Sequence, residues 1–270
     1  MSFKNYTCKL QIKCNTIPYN NLTCGGMLVC FSNKLFIVSG SNSGIGKACA
    51  ELLLESEATV MGLDIKTNTI SHSNYIHYSV DVRDEEQIMA VITEIHTKYG
   101  KIEGLANCAG IFANSKPFYE LSLAEWNGVI GTNLSGVFIL SKYVAQKMIP
   151  YKAGKIVNIS CIRSKIFRPH MADYAAAKGG VVALTSAMAL DLAPYHITVN
   201  SVAPGFTYTG MTAESFDIPE IRRSSEELIP AGRIAEPKDI ANVVLFLLSD
   251  KANYINGETI FADGGFSSLK

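Results

Sequence analysis

The chain carries no net charge to offer a polyanion. Its 24 lysines and arginines are matched by 24 aspartates and glutamates, and the basic residues are scattered rather than gathered into a stripe. That removes the electrostatic footprint of a nucleic-acid binder and of attachment to an anionic membrane. No apolar run reaches the roughly 18 residues of a membrane span. The amino-terminal stretch lacks the apolar core of a secretory signal and the Arg-rich amphipathic pattern of an import sequence. Linkers rich in Pro, Gly and Ser, internal repeats and low-complexity tracts are all missing. Cys8, Cys14, Cys24 and Cys30 lack the short C-x-x-C pairs of a zinc knot, so no metal is expected. The seven cysteines are odd in number, and Cys49, Cys108 and Cys161 fall in apparent core or site elements. Free thiols in a reducing compartment, the cytoplasm, fit better than a disulfide framework.

What is present is apolar and periodic. Hydrophobic residues make up 48% and charged residues 18% of 270, enough for the core of one large α/β domain. Residues 1–30 read as a poorly ordered extension, as a start placed too early with Met27 as the true one, or as a short strand or partner-binding arm. Strand patterns at 35–40, 58–63, 75–80, 102–106, 155–160, 197–202 and 259–262 alternate with helical patterns. The helices run over 47–54, 84–99, 122 to about 148, 174 to about 192, and 238–248, with a long loop over 206–229. That alternation predicts one parallel sheet over 31–270.

The first strand runs into Gly40-Ser41-Asn42-Ser43-Gly44-Ile45-Gly46 and a helix follows. Strand, glycine loop and helix together form a pyrophosphate cradle. Gly40 permits the turn, Gly44 lets backbone approach the anion, and Gly46 lets helix pack on strand. Asp64 ends the second strand, 18 residues past Gly46. A carboxylate there accepts from a ribose 2′-OH and repels a 2′-phosphate, which predicts NAD. Asp81 and Val82 end the third strand where adenine would lie. Asn107-Cys108-Ala109-Gly110 leaves room for a ligand at the end of the fourth. Ser122 and Glu125 form a capping box. Asn133 is an indifferent helix former inside the helix that follows, either a surface residue or a local break in the ladder that holds a water.

Tyr174 and Lys178 stand four apart on one helical face. An ammonium beside a phenol favours the phenolate and draws its pKa down toward the working range.

In order, Ser39-Gly40-x-x-x-Gly44-Ile45-Gly46, Asp81-Val82, Asn107-Cys108-Ala109-Gly110, Asn133, Tyr174-x-x-x-Lys178, Pro204-Gly205 and Asp263-Gly264-Gly265 resemble the short-chain dehydrogenase/reductase family from Phe31 onward. The resemblance implies a single Rossmann-type doubly wound parallel sheet with helices on both faces, a nicotinamide cofactor and a homotetramer or homodimer. It implies Tyr174 as general acid/base, Lys178 as the group that lowers its pKa and holds the nicotinamide ribose, and Asn133 as the residue ordering a relay water. Pro204, Gly205 and Thr207 would touch the nicotinamide.

Ser39 stands where the family usually has Thr, and Cys108 where it has a second Asn. The family's substrate-orienting serine lies thirteen residues before the tyrosine, and here that residue is Cys161, a weak donor. Ser160, Ser164 or Cys161 could fill the role. The expected function is an NAD-dependent interconversion of a secondary alcohol and its ketone. The alternative is an NAD-binding scaffold without turnover. Arg163, Lys165, Arg168 and His170 make the loop after the fifth strand basic, which suits a polar substrate such as a sugar, sugar acid or hydroxy acid. Phe206, Tyr208, Met211 and Phe216 are available from the second loop to line a pocket.

Overall fold

The computed structural model describes residues 30–269. The expected extension, with Cys8, Cys14 and Cys24, lies outside them but for Cys30. Seven strands form one all-parallel sheet: β1 (Leu35–Ser39), β2 (Thr59–Asp64), β3 (Tyr75–Ser79), β4 (Gly104–Asn107), β5 (Gly154–Ile159), β6 (Ile197–Pro204) and β7 (Thr259–Ala262). Their spatial order is β3-β2-β1-β4-β5-β6-β7. The winding therefore reverses between β1 and β4, and a ligand crevice opens at their carboxyl ends. Every residue of β1 is buried, as a strand covered on both faces requires.

The helices are α1 (Gly44–Glu55), α2 (Glu85–Tyr99), α3 (Leu123–Ile130), α4 (Gly136–Met148), α5 (Ala172–Leu192), α6 (Ala213–Phe216), α7 (Pro219–Glu227) and α8 (Pro237–Leu248). One face of the sheet is covered by α1 and α8, the other by α2, α4 and α5. In α2, Ile88, Ile92 and Ile95 recur at helical spacing and are fully buried, each worth about 1.5–3 kcal/mol. Asp84 caps that helix by accepting from the Gln87 N–H, and Gly100 ends it at φ +82°. Phe31 is fully buried with its ring edge-on to Phe36, so the chain joins the core where the sequence pattern begins.

Several expected boundaries move. Most strand ends shift by a residue or two. The first helix starts at Gly44 rather than 47, because the last residues of the glycine loop are already its first turn. The helix bearing Tyr174 starts at Ala172. The expected loop 206–229 contains α6 and α7. Pro219 at the first turn and an Arg222–Glu226 pair favour α7, but only Ser225 in it is buried, so no apolar period announces it.

The expectation that nothing is long and apolar enough to span a membrane also changes. Leu123–Tyr151 and Ala172–Tyr195 reach that length and mean hydropathy. Polar residues such as Asn133 and Lys178 interrupt any continuous run. Both stretches lie against the sheet, with Leu140, Val144, Met148, Ala189 and Leu192 in the core.

Candidate active site

A cavity of about 640 Å³ opens over the carboxyl ends of the strands. Gly40, Ser43, Gly44, Ile45 and Gly46 line one end of it. A Cβ at Gly46 would fall 2.2 Å from the Gly40 carbonyl oxygen, and one at Gly40, where φ is +66°, would fall 2.8 Å from the Ala109 Cα. The loop is therefore packed backbone on backbone. No side chain caps the start of α1 and no acid lies in its first turn, which leaves free N–H groups and a positive dipole end at the cavity. That cradle fits a pyrophosphate. Ser39, standing where Thr was expected, braces it from behind: its Oγ accepts from the N–H groups of Cys108 and Ala109 at 3.1 and 3.2 Å.

Asp64 lines the same end. Its carboxylate accepts from the backbone N–H groups of Asn42 at 3.0 Å and Lys66 at 2.9 Å, which fixes its direction. Lys66 itself lines the cavity, although the spacing argument did not single it out. Val82 and Asp81 line it next, but the Asp81 carboxylate is turned to Arg83. Nε and Nη2 of Arg83 donate to it at 3.0 and 2.6 Å, and that pairing holds its pKa below the usual range. Both of its oxygens thus accept from Arg83.

Ala109 and Gly110 line the wall beneath. Asn107 does not. Its Nδ2 donates to Ser141 Oγ and Asn158 Oδ1 at 2.9 and 2.8 Å, and Asn158 donates on to Thr185. Asn107, expected at the cofactor, instead ties β4 to β5 and α4 inside the core. A buried amide needs partners, and this network supplies them.

Asn133 is fully buried in a single π-helical turn, Gly131–Ser135, between α3 and α4. The expected break in the ladder is there. Its side chain, however, grips the backbone of Ile111, accepting from N–H and donating to C=O at 2.9 Å each. That grip uses one N–H and one lone pair of the amide. Gly110 is packed between this amide and Lys178, since a Cβ there would fall 3.0 Å from Asn133 Oδ1 and 3.8 Å from Lys178 Nζ.

Tyr174 and Lys178 come together as the spacing implies. Both are buried and both line the cavity. Lys178 Nζ donates to the Ile159 carbonyl at 2.8 Å and stands 5.7 Å from the Tyr174 ring centre. Burial pulls the Lys178 pKa down to about 8. The phenol moves opposite to expectation. Burial raises the Tyr174 pKa well above its usual value, and the neighbouring Cys161 adds to that, while the charge of Arg163 works the other way. Desolvation is the dominant cause, and the Lys178 ammonium is directed at the Ile159 carbonyl rather than at the phenol.

Around the phenol, Cys161 and Ser160 line the cavity and Ser164 does not. Ser160 Oγ donates to the Lys178 carbonyl, and Ser164 Oγ to the Cys161 carbonyl at 2.7 Å. Both hydroxyls are committed to backbone, so Cys161 is the residue facing the phenol. Strand alternation turns Ser160 aside, as the sequence implied. Asp173 is buried and accepts from Asn114 Nδ2 at 2.8 Å, tethering the loop after β4 to the start of α5.

Pro204, Gly205 and Thr207 close the far wall with Phe206, Met211 and Phe216, whereas Tyr208 turns away to Asp217. Arg163 and Arg168 enter the cavity lining. Lys165 lies 5.3 Å over the Phe261 ring and His170 lines a shallow outer groove. Among the described residues no group of three His, Cys, Asp or Glu is placed to hold a metal ion, and Cys30, Cys49, Cys108 and Cys161 are free thiols.

A family model described as enoyl-(acyl carrier protein) reductase matches residues 40–267. The chain is 37% identical over 238 residues to 3-oxoacyl-(acyl-carrier-protein) reductase FabG of Vibrio harveyi, covering 86% of this chain and 96% of that one. It is 36% identical over 242 residues to the NAD-dependent glycerol dehydrogenase of Listeria innocua, covering 87% and 94%. Among solved structures, a gluconate 5-dehydrogenase from Burkholderia cenocepacia in complex with NADP and tartrate superposes with a TM-score of 0.84 at 32% identity, covering 88% and 97%.

Proposed function

The chain belongs to the short-chain dehydrogenase/reductase family, and from that premise we propose that it is an NAD-dependent oxidoreductase interconverting a secondary alcohol and its ketone on a polar substrate. The observation that carries this reading is the convergence of the glycine cradle, Asp64 and the Tyr174–Lys178 pair on one cavity. A bound nicotinamide dinucleotide supplies a hydride acceptor or donor there. Gly40, Ser43, Gly44, Ile45 and Gly46 would hold its pyrophosphate. Asp64 would hold the adenosine ribose, and Val82, Asp81, Ala109 and Gly110 the adenine side. Pro204, Gly205 and Thr207 would flank the nicotinamide.

The protein's own work is with the proton. Tyr174 Oη takes the proton of the substrate hydroxyl during oxidation and returns it during reduction. Lys178 sits one helical turn away, and its charge, with that of Arg163, favours the phenolate. Asn133 keeps the wall below Lys178 in place through Ile111. Cys161 faces the substrate oxygen in place of a serine and donates to it weakly.

Asp64 supports NAD over NADP by like-charge repulsion of a 2′-phosphate. The relatives differ on this point, one being NAD-dependent by name and another bound to NADP. Exposed Phe138 on α4 and Leu190 on α5 support a homodimer or homotetramer built on that face. The proposed setting is the cytoplasm, with a small-molecule substrate and neither nucleic acid nor membrane as partner.

The test is spectrophotometric. Purified protein is offered NAD or NADP with sugars, polyols, hydroxy acids and simple secondary alcohols. NAD-linked turnover supports the reading, and a preference for NADP overturns the Asp64 argument. A second reading, a cofactor-binding protein without turnover, draws on Cys161. NADH binding with no reaction across the panel would favour it.

A further inference from the structure

Two arginines, Arg163 and Arg168, line the cavity, Arg163 close enough to act on the phenol, and neither joins an ion pair among the described residues. Arg163 is the more enclosed. It belongs to the single helical turn Ile162–Ser164 that follows Cys161, and that turn is tightly bonded. The Ser164 N–H and Oγ both donate to the Cys161 carbonyl, and the Ile166 N–H donates to that of Ile162. Arg163 Nη1 donates to the Ile166 carbonyl at 3.2 Å, and the guanidinium carbon stands 5.9 Å from the centre of the Phe206 ring. One N–H of five is used, one face rests on an aromatic, and the rest of the fork has no acceptor among the described residues.

Half-burying a cation without a counter-charge costs free energy. Arg163 meets that cost: its pKa is drawn down first by burial, with Cys161 and Tyr174 working the other way and Arg168, a like charge nearby, adding to the fall. A half-enclosed guanidinium with most of its fork unused, and a second, exposed one lining the same cavity, suit an oxyanion from outside. The other two basic residues of this loop mark the contrast, since Lys165 and His170 lie outside the cavity lining.

We propose that Arg163, assisted by Arg168, forms a carboxylate subsite, so that the substrate is a hydroxy or keto acid held by its acid group while its alcohol or ketone carbon faces Tyr174 and Cys161. This rests on the oxidoreductase reading of the same cavity and narrows it from polar substrates in general to acids. Arg163 gives the planar two-pronged contact, and Arg168, more exposed, adds attraction at the mouth. Phe206, Met171 and Phe216 line the same cavity and provide apolar contact for the carbon between acid and alcohol.

The experiment uses malonate, an unreactive dicarboxylate, titrated calorimetrically into NADH-loaded protein, with glycerol as the neutral control. Wild type, Arg163→Gln and Arg168→Gln are compared, and thermal melting verifies the fold of each. Malonate should bind wild type, weaken about tenfold or more in Arg163→Gln and about threefold in Arg168→Gln, and weaken at high salt. NADH affinity should stay the same in all three. Equal malonate affinity in all three, or no binding to wild type, overturns the subsite. So does a parallel loss of NADH affinity, which would assign the arginines to cofactor phosphates. If Arg163→Gln does not fold, unchanged malonate affinity in Arg168→Gln overturns the proposal and a loss supports it. The oxidoreductase reading fails separately. Arg163-dependent malonate binding without turnover of any alcohol keeps the subsite and removes that reading. Turnover of neutral polyols together with malonate affinity unchanged in Arg163→Gln keeps the reading and removes the subsite.

Discussion

The cofactor end and the reacting end of the cavity are built on opposite plans. The first is backbone: glycines packed against carbonyls, an uncapped helix start and one carboxylate held by two N–H groups. The second is side chain: Tyr174, Lys178, Cys161 and Arg163, drawn from a strand end, a tight turn and a helix and pressed together under burial. A backbone site tolerates no added atom but needs little chemistry from its residues. A side-chain site depends on which functional group stands where. The two ends should therefore respond differently to substitution.

Tyr174→Phe gives the sharpest separation. Turnover should fall by about 10²–10⁴-fold, the usual weight of general acid–base catalysis, with NADH affinity held within about threefold. A comparable loss of NADH binding would merge the two ends. Cys161→Ser acts on the same end in the other direction. A hydroxyl donates better than a thiol, so turnover should rise on the order of tenfold, below the 10²–10³ of a full oxyanion donor. Unchanged or lower turnover would count against a substrate-polarising role. Asp64→Ala should leave turnover with saturating NAD nearly unchanged and shift the NAD-to-NADP preference by about tenfold toward NADP, read from the two kcat/KM values.

Gly46→Ala should destabilise by about 1–3 kcal/mol, because the new methyl meets the Gly40 carbonyl. The melting temperature would report it, and NADH affinity should fall with it.

The effect spread over the widest range of conditions is a pH dependence. The folded-state pKa of Lys178 is depressed to about 8 by burial. Below pH 8 the lysine is charged in both states and the burial penalty is fully present. Between pH 8 and about 10.4 the folded state gives up its proton first, so stability contributed at this site rises with pH. The difference in unfolding free energy between wild type and Lys178→Met should climb by about 3 kcal/mol across that window. A flat or falling difference would mean that Lys178 is not held in a desolvated setting.

The same division governs what could be read from the sequence. The cofactor end was legible because its elements are contiguous: strand, glycines and helix lie within residues 35–55, and Asp64 follows at a fixed offset. Asn133 stood out because an indifferent helix former inside a helix invites a reason, and the reason is a π turn. The reacting end was legible only where one helix carries both groups, as for Tyr174 and Lys178. Asn107 points into the core because Asn158, 51 residues on, offers it an acceptor. Asp81 is claimed by Arg83. The rise of the Tyr174 pKa depends on how deeply the ring is buried, which no spacing reveals. Which two of four basic loop residues enter the cavity depends on a turn and on Phe206, some 40 positions away. Helices α6 and α7 have little apolar face, so their existence rests on tertiary closure such as the Thr207–Ala235 bridge.

The π turn at Gly131–Ser135 has one more implication, and it concerns phase rather than identity. The wide turn holds a surplus residue between α3 and α4 and absorbs it by widening, so the two helices keep nearly the phase of one spiral while the residues inside the turn are displaced from it. Deleting Thr132 would remove no residue assigned a role here and would let the spiral close, an improvement by any local measure. It would leave α3 and α4 nearly in phase, since five residues of a wide turn cover almost the same rotation as four regular ones. Asn133, however, would shift along the spiral and lose the position from which its amide holds the backbone of Ile111. The site is in this sense set by a count. A one-residue deletion there would do damage that no side-chain replacement elsewhere in the helix could undo.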